Sequence, residues 1–533
     1  MVGILAQDVV KNAFGDLEVL CLDGLNTVLE VPRAQAGVAF QPLLISALWG
    51  EPARHLGGTV SLPDDALDRL RVVAAQLDRD VPLTVRPVPE TVAALGTLDD
   101  GRTTAALAEL LRDHQVLWSP FVDIAIGPLA EAGRDADIAA QRVAGADVLD
   151  DLGITPDPRS WSLEGAVTTE ALGALASLGV RRVVLDDAAL APIDPDLVGG
   201  ITLARPFRVE APAGTLDAIA MDAGLAAHFD GEDEVLAAHH LLADLAVLHF
   251  DSPGLARGVV VRPPGDWVPT EAFLGTVIGG LAGSPLLAPT TLDGLFEAVD
   301  PLVDEDDEPV VRPLADDAAE PALGFSLGRL DRARGAIGAF RALTDPANPA
   351  IGEMDRQLLV AMSEDLDQAE RERYFDAVHA RVDGAAARVQ VLGDRTYRLT
   401  AREGTVPLTL VNENDFDVVV DVELSSDKLA FTDAEVGESL GTHLLDDVEL
   451  EAGATLTQAV PVKARTSGTS SLRVAMRSPD GAIELAATSI TITSTFASWV
   501  GIVLSIGAAA FLGLWWASHF RTVRRARKLV PPE

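Results

Sequence analysis

Residues 159–187, RSWSLEGAVTTEALGALASLGVRRVVLDD, decide how the larger part of this chain folds. RSWSLEG (159–165) and RRVVLDD (181–187) are apolar runs of strand length. Between them TTEALGALASLG (168–179) carries apolar residues at helical spacing, with Thr168 as N-cap and Gly179 as a stop. A strand, a helix and a strand in so short a stretch form a βαβ unit, and a crossover helix makes its two strands parallel.

The same alternation runs outward in both directions. Strands are expected at LLISALW (43–49), PLTVRP (82–87) and QVLWSPF (115–121) before this unit, and at LDAIAMD (216–222) and RGVVVRP (257–263) after it. Helices fall between them, at 61–80 with Ser61 and Asp64 spaced as a capping box, and at 103–113, 136–153, 232–250 and 270–282. An open doubly wound sheet and a closed barrel both fit such a pattern. No glycine fingerprint of the dinucleotide or P-loop kind follows any strand, which favours the barrel. The expected fold for 39–300 is an irregular β/α barrel of seven or eight strands. Residues 1–38 carry no clear pattern. VDEDDEPVVRPLADDAAEP (303–321) is acidic and proline-bearing, so 301–322 reads as a linker, and 323–388 reads as a small helical subdomain. From 389 to 495 the apolar period switches to two, with SPDG (478–481) as a hairpin turn, which suggests an immunoglobulin-like β-sandwich.

FASWVGIVLSIGAAAFLGLWWASHF (496–520) follows. It holds an uncharged run from Trp499 to Ser518, long enough as a helix to span roughly 30 Å of hydrocarbon. Trp499 marks one end and Trp515–Trp516 the other, and Arg521, Arg524, Arg525, Arg527 and Lys528 come next. A transmembrane helix is expected, with 521–533 as a basic cytoplasmic tail and the bulk of the chain outside the cell membrane. Export needs a signal, and MVGILAQDVVKNAFGDLEVL lacks a basic region ahead of an apolar run. A start downstream of the true one is the favoured explanation, and a cytosolic tail-anchored protein is the other. The small residues Gly501, Ser505 and Ala509 recur at helix-packing spacing.

The chain has 533 residues and a formal net charge of −40, a field that repels nucleic acid and excludes it as a partner. Cys21 is the only cysteine, so neither an intrachain disulfide nor a cysteine-based zinc site is possible.

Residues 40–300 resemble the polysaccharide-deacetylase barrels and the related α-mannosidase-type glycoside hydrolases. The stretch 159–187 carries this, similar to the deacetylases' strand, helix and strand around their arginine–proline motif. SPFVDIAIGPLAEAG (119–133) and HHLLADLAVLHFDSPGLARGVVVRPP (239–264) add to it. The whole order of barrel, helices, VPLTLVNENDFDV (406–418) sandwich and terminal SWVGIVLSIGAAAFLGLWW helix with its Arg-rich tail resembles an uncharacterised actinobacterial family of single-pass membrane proteins. Genes of that family tend to lie beside the lipid II flippase of peptidoglycan synthesis. The resemblance implies an envelope protein, with cell-wall glycan, the flippase or other envelope-synthesis proteins as partners.

A deacetylase of this type needs a divalent metal held by an aspartate and an HxxxH pair. None of the nine histidines pairs at that spacing, and His240 and His249 fall on opposite faces of one helix. Metal-dependent deacetylation is therefore disfavoured, and no metal or cofactor is expected. Carboxylates remain. Barrel sites gather at the carboxyl ends of strands, and glycoside hydrolysis needs two carboxyl groups flanking the bond. Glu164 and Asp222 are the pair expected to carry catalysis, with Asp123 third. Arg86 and Arg262 sit at strand ends too, to contact substrate or to pair with these acids. Trp49, Trp161 and Trp267 are placed to stack on sugar rings. The two expected functions are a metal-independent glycan-binding or glycan-processing barrel and a non-catalytic scaffold of the envelope machinery.

Overall fold

The computed structural model describes residues 44–45, 53–54, 60–79, 81–98, 101–192, 204–251, 256–265, 267–304, 306–315, 323–393, 396–433, 437–495 and 499–526. Trp49, Cys21 and the 1–38 segment lie outside these residues, as does the tail beyond Ala526. The chain divides into two compact units, 1–327 with 356–374, and 328–355 with 375–533.

The first unit is built on a curled parallel sheet. Leu44–Ile45 pairs with Thr84–Val85, and that strand with Gln115–Val116, all parallel. A parallel bridge from Leu117 to Asp157 continues the order toward Ser160–Ser162. Ser160–Ser162 pairs with Arg182–Asp186, which pairs with Gly214–Met221, again parallel. Met221 bridges Val260 in the same sense. The strands thus follow one another round the curl in sequence order, which gives a half-barrel. Helices return the chain between most of these parallel neighbours, whereas Arg182–Asp186 reaches Gly214–Met221 by way of a short 3-10 turn and the strand Phe207–Ala211.

The helices begin and end where their end residues dictate. Thr168 accepts the amide of Ala171 and opens Thr169–Ser177, and Gly179 at φ 95° follows its last turn. Thr270 caps Glu271–Ala282 through the Phe273 amide. In Asp64–Leu77 Pro63 occupies the N-cap, where proline's fixed φ presets the entry to the helix.

Three further elements have no counterpart in the expected pattern. Phe207–Ala211 forms an antiparallel hairpin with Gly214–Met221, and Val311–Arg312, inside the acidic 301–322 segment, pairs with its outer strand. Leu292–Ala298 is a helix whose Leu292 and Leu295 join Leu117, Val184, Ile219 and Val260 in a sealed apolar cluster inside the curl. Burying these side chains at about 1.5–3 kcal/mol each makes this plug a principal fastening of the half-barrel.

The second unit holds an eight-stranded sheet of largely antiparallel pairs, running from Val389–Leu392 to Glu484–Ser494 and Tyr397–Leu399. Strand Glu403–Asn412 alternates buried and open residues, and Val418, Val420, Val422 and Leu424 of the next strand are fully buried on one face. This alternation is the period-two signal in its structural form. Gly481, at φ 70°, closes the turn between Gly468–Arg477 and Glu484–Ser494, and Asp480 accepts from Ser478 Oγ. The last helix is Trp499–Ala526, and Val503–Arg521 is the one described stretch long and apolar enough to cross a membrane.

Candidate functional site

The carboxyl ends of the parallel strands carry the charged residues of the first unit that are hardest to account for as surface groups. Arg86 follows Thr84–Val85 and is 9% exposed. Its guanidinium donates to Asp123 Oδ1 at 2.8 Å and lies 3.8 Å from Glu164 Oε1. Arg262, 3% exposed, follows the strand segment around Val260. It donates to Ser162 Oγ and to the Leu163 carbonyl at 2.8 Å each, bonds Asp186, and approaches Glu164 Oε1 at 3.7 Å. Glu164 thus sits between two buried guanidinium groups without a short bond to either, and its side chain remains 39% exposed. Burial lowers the pKa of Arg86, but Asp123 first and Glu164 next outweigh it, and the net shift is upward. A permanently charged fork is held here by the carboxylates it faces.

A fourth carboxylate comes from far along the chain. Glu364 lies just beyond the helix Pro349–Ala361, and its amide donates to the Asp123 carbonyl at 3.0 Å. Two ties hold this segment. Arg371, 4% exposed, donates to the carbonyls of Ala361, Ser363 and Gly324 at 3.0, 2.7 and 2.8 Å. Asp365 accepts from Ser363 Oγ at 3.0 Å and lies 3.6 Å from Arg54, which also forks onto the fully buried Glu90. Glu364 has its pKa pushed up to about 7. Desolvation is the largest cause, with the charges of Asp123, Asp365 and Glu164 adding to it and Arg86 opposing. The residue's surface is open to solvent, and the like charges of Asp123, Asp365 and Glu164 crowd it.

Of the residues expected from sequence, Arg86, Asp123, Glu164 and Arg262 meet in this cluster. Asp222 uses its carboxylate differently: Oδ1 accepts the Leu225 amide at 2.9 Å and caps the short helix Ala223–Ala226. Trp161 is 3% exposed and packs edge-on to Trp118, with ring centroids 5.4 Å apart. Trp267 is half-buried against Phe229 and Phe273. Trp49 falls outside the described residues. Asp186 and Glu364 are the additions. Asp186 ends a strand at the expected position, whereas Glu364 had only the acidic pair after a helix, ED in SEDLD (363–367), to mark it. His239, His240 and His249 share the helix Glu234–Asp251. Among the described residues no three His, Cys, Asp or Glu side chains group as metal ligands.

Residues 124–533 match the family of unknown function DUF6049. The chain belongs to that family. No curated protein matches it. Among solved structures it is similar to a 4-alpha-glucanotransferase from Thermococcus litoralis, at 11% identity over 82% of this chain and 85% of that one, with a TM-score of 0.44. It is also similar to an alpha-mannosidase from Enterococcus faecalis, at 8% identity over 85% and 61%, TM-score 0.40. A putative polysaccharide deacetylase from Mycobacterium smegmatis aligns at 14% identity over 50% and 91%, TM-score 0.30. These scores are low, so function has to be read from the site's own residues.

Proposed function

We propose that this DUF6049 member is a single-pass membrane protein of the cell envelope whose β/α domain binds or processes glycan. One observation carries the reading. Four carboxylates, Asp123, Glu164, Asp186 and Glu364, and two buried arginines, Arg86 and Arg262, converge at the carboxyl end of a curled parallel sheet. Such ends are where β/α sheets place their chemistry, and hydroxyl-rich ligands are matched by dense, fixed acceptors and donors. The sequential strand order supports an irregular barrel of seven or eight strands. The alternating strands of the second unit support an immunoglobulin-like sandwich. The apolar helix with its basic end supports an anchor, with the 521–533 tail in the cytoplasm and the two units outside.

Pull-down on insoluble cell-envelope glycan tests the binding reading, comparing wild type with Asp123→Asn/Glu164→Gln. Retention by wild type and a loss of about tenfold or more in the variant are expected. Equal retention of the two removes the site from the function. Proteolysis of intact spheroplasts tests the orientation: digestion of the two units is expected, and full protection reverses the topology.

A second reading, a non-catalytic scaffold or partner of the lipid II flippase and other peptidoglycan-precursor machinery, has one observation in its favour. Trp161 is buried against Trp118, so its ring is not offered as a sugar platform, and Trp267 is half-buried against Phe229 and Phe273. Retrieval of the flippase by the Asp123→Asn/Glu164→Gln variant as well as by wild type, with no glycan retained by either, would favour the scaffold.

A further inference from the structure

The second unit has a cavity of its own, of about 670 Å³, within the range that small ligands occupy. One wall is the end of the helix Gln368–Ala387, whose Arg381, Gly384 and Ala385, with Arg388 directly after them, fall on one face. The turn after the helix Leu327–Leu343 lines it too, as does the turn 414–417 that leads into the strand Val418–Asp433. Phe340 and Phe416, edge to face with ring centroids 5.7 Å apart, give it an apolar patch.

Two buried asparagines of the stretch NEND (412–415) hold the second turn. Asn412 Nδ2 donates to the carbonyls of Phe416, Leu450 and Glu451 at 2.9, 3.1 and 3.1 Å, which fixes the way round of its amide. Its Oδ1 then accepts both the Asn414 amide and Asn414 Nδ2, at 3.0 Å each. Asn414 Nδ2 also donates to the Ala385 carbonyl at 3.1 Å. Both hydrogens of the Asn414 side chain are thus spent, and its amide cannot be turned over. Asn414 lines the cavity, is 1% exposed, and its Oδ1 has no donor. A buried acceptor in that state is costly, and at the wall of a cavity it marks a hydrogen for a ligand to supply.

The charges round the cavity are divided in the same way. Arg381 is engaged by Glu353 at 2.8 Å, and Asp345 and Asp417 accept the amides of Ala347 and Ala452 at 2.8 Å each. Arg388 and Asp415 line the cavity as well, and neither side chain has a described hydrogen bond or ion pair, with the other or with anything else. One unengaged charge of each sign and one unengaged acceptor therefore share a single cavity.

We propose that this cavity binds a short peptide with free ends, its carboxylate on Arg388, its ammonium group on Asp415 and a main-chain N–H on Asn414 Oδ1. A peptide carries an anion, a cation and amide hydrogens in one small body, and Phe340 and Phe416 offer its side chains an apolar surface. No residue of the first unit takes part, so the site stands apart from the glycan reading.

The groups named recognise the main chain and its ends, so alanine peptides of three to five residues serve as probes. They are titrated by calorimetry into the full chain in detergent, with both ends free, with the amino end acetylated, or with the carboxyl end amidated. Free peptide is expected to bind, and each block to weaken binding by about tenfold or more. Arg388→Gln should bind free and amidated peptide alike, and Asp415→Asn free and acetylated peptide alike. Gly384 supplies the steric control, because an added Cβ there meets nothing within 4 Å. Gly384→Ala should bind as wild type does, whereas Gly384→Phe should melt no lower than wild type and lose binding. These variants leave Asn414 and the turn it holds intact. No binding of any free peptide, indifference to the blocks, or full binding by Gly384→Phe overturns the proposal.

Discussion

The two ends of the half-barrel are made of the same residue types and behave as opposites. At the amino end, Asp293 receives both Arg159 and Arg182, the latter at 2.5 Å, and Asp157 holds the other side of Arg159 at 3.0 Å. Gln115 joins them by donating to Asp157 at 2.9 Å and accepting the Asp293 amide at 3.0 Å. Two acids meet two arginines. Burial acts to raise the Asp157 pKa, but hydrogen bonds from Arg159 and Gln115 and the Arg159 charge outweigh it and bring it below the usual range. At the carboxyl end three acids share two arginines, the contacts to Glu164 are long, and Glu364, in no described ion pair, is pushed the other way. A matched network fastens the plug helix Leu292–Ala298 to the sheet. An oversubscribed one leaves carboxylates with unmet demand, and unmet demand is what a ligand can answer.

Substitutions at the two ends should separate fastening from function. The largest effect is expected at Arg262. Arg262→Met removes a buried cation from Asp186, Glu164, Ser162 and the Leu163 carbonyl, and should cost about 3–5 kcal/mol, read as a lower melting temperature in detergent. It would also release Glu164, so glycan retention should fall with stability. Asp293→Ala at the opposite end should cost about 1–3 kcal/mol and leave glycan retention unchanged once the protein is folded. Loss of retention there would erase the contrast between the ends.

The third expectation concerns pH. The folded-state pKa of Glu364 is raised above its ordinary value, so its protonated form favours the folded state. That contribution is complete below about pH 4.5 and is lost as pH rises through about 7. Glu364→Gln cannot lose it. The variant should melt above wild type at about pH 8, and the gap should close by about pH 4. Arg371→Met, which unclamps the segment, should move the Glu364 titration back toward the ordinary carboxylate range, followed by carbon-detected NMR of the side chain. The smallest effect is expected at Gly265, where an added Cβ would lie 3.3 Å from Glu164 Oε2. Gly265→Ala should change stability by less than about 0.5 kcal/mol and show itself only in binding.

Much of the candidate site was legible because the strands were. Once PLTVRP, QVLWSPF, RSWSLEG and RGVVVRP are strands in parallel order, Arg86, Asp123, Glu164 and Arg262 must rise at one end. No contact need be known for that. What side chains do on arrival was not legible. Asp222 stands at a strand end, yet its nearest unsatisfied donor is the amide of Leu225, three residues on, and it serves as a helix cap. Trp161 alternates inward and meets Trp118, a neighbour that only the curl of the sheet supplies.

The sequence by itself determined a run of parallel βα units, the switch to a period of two after 389, and an apolar helix with a basic end, while the half-barrel curl came from the tertiary structure. These follow from patterns a few residues long, which local periodicity and capping fix. Only the tertiary structure decided which acid joins the site. Glu364 is 200 residues from Glu164 in the chain, and nothing in SEDLD signals an approach to the sheet. The buried bonds of Arg371 and the amide bond to Asp123 bring it there. Its proton is then governed by charges from other strands, and such fields depend on distance through space rather than along the sequence.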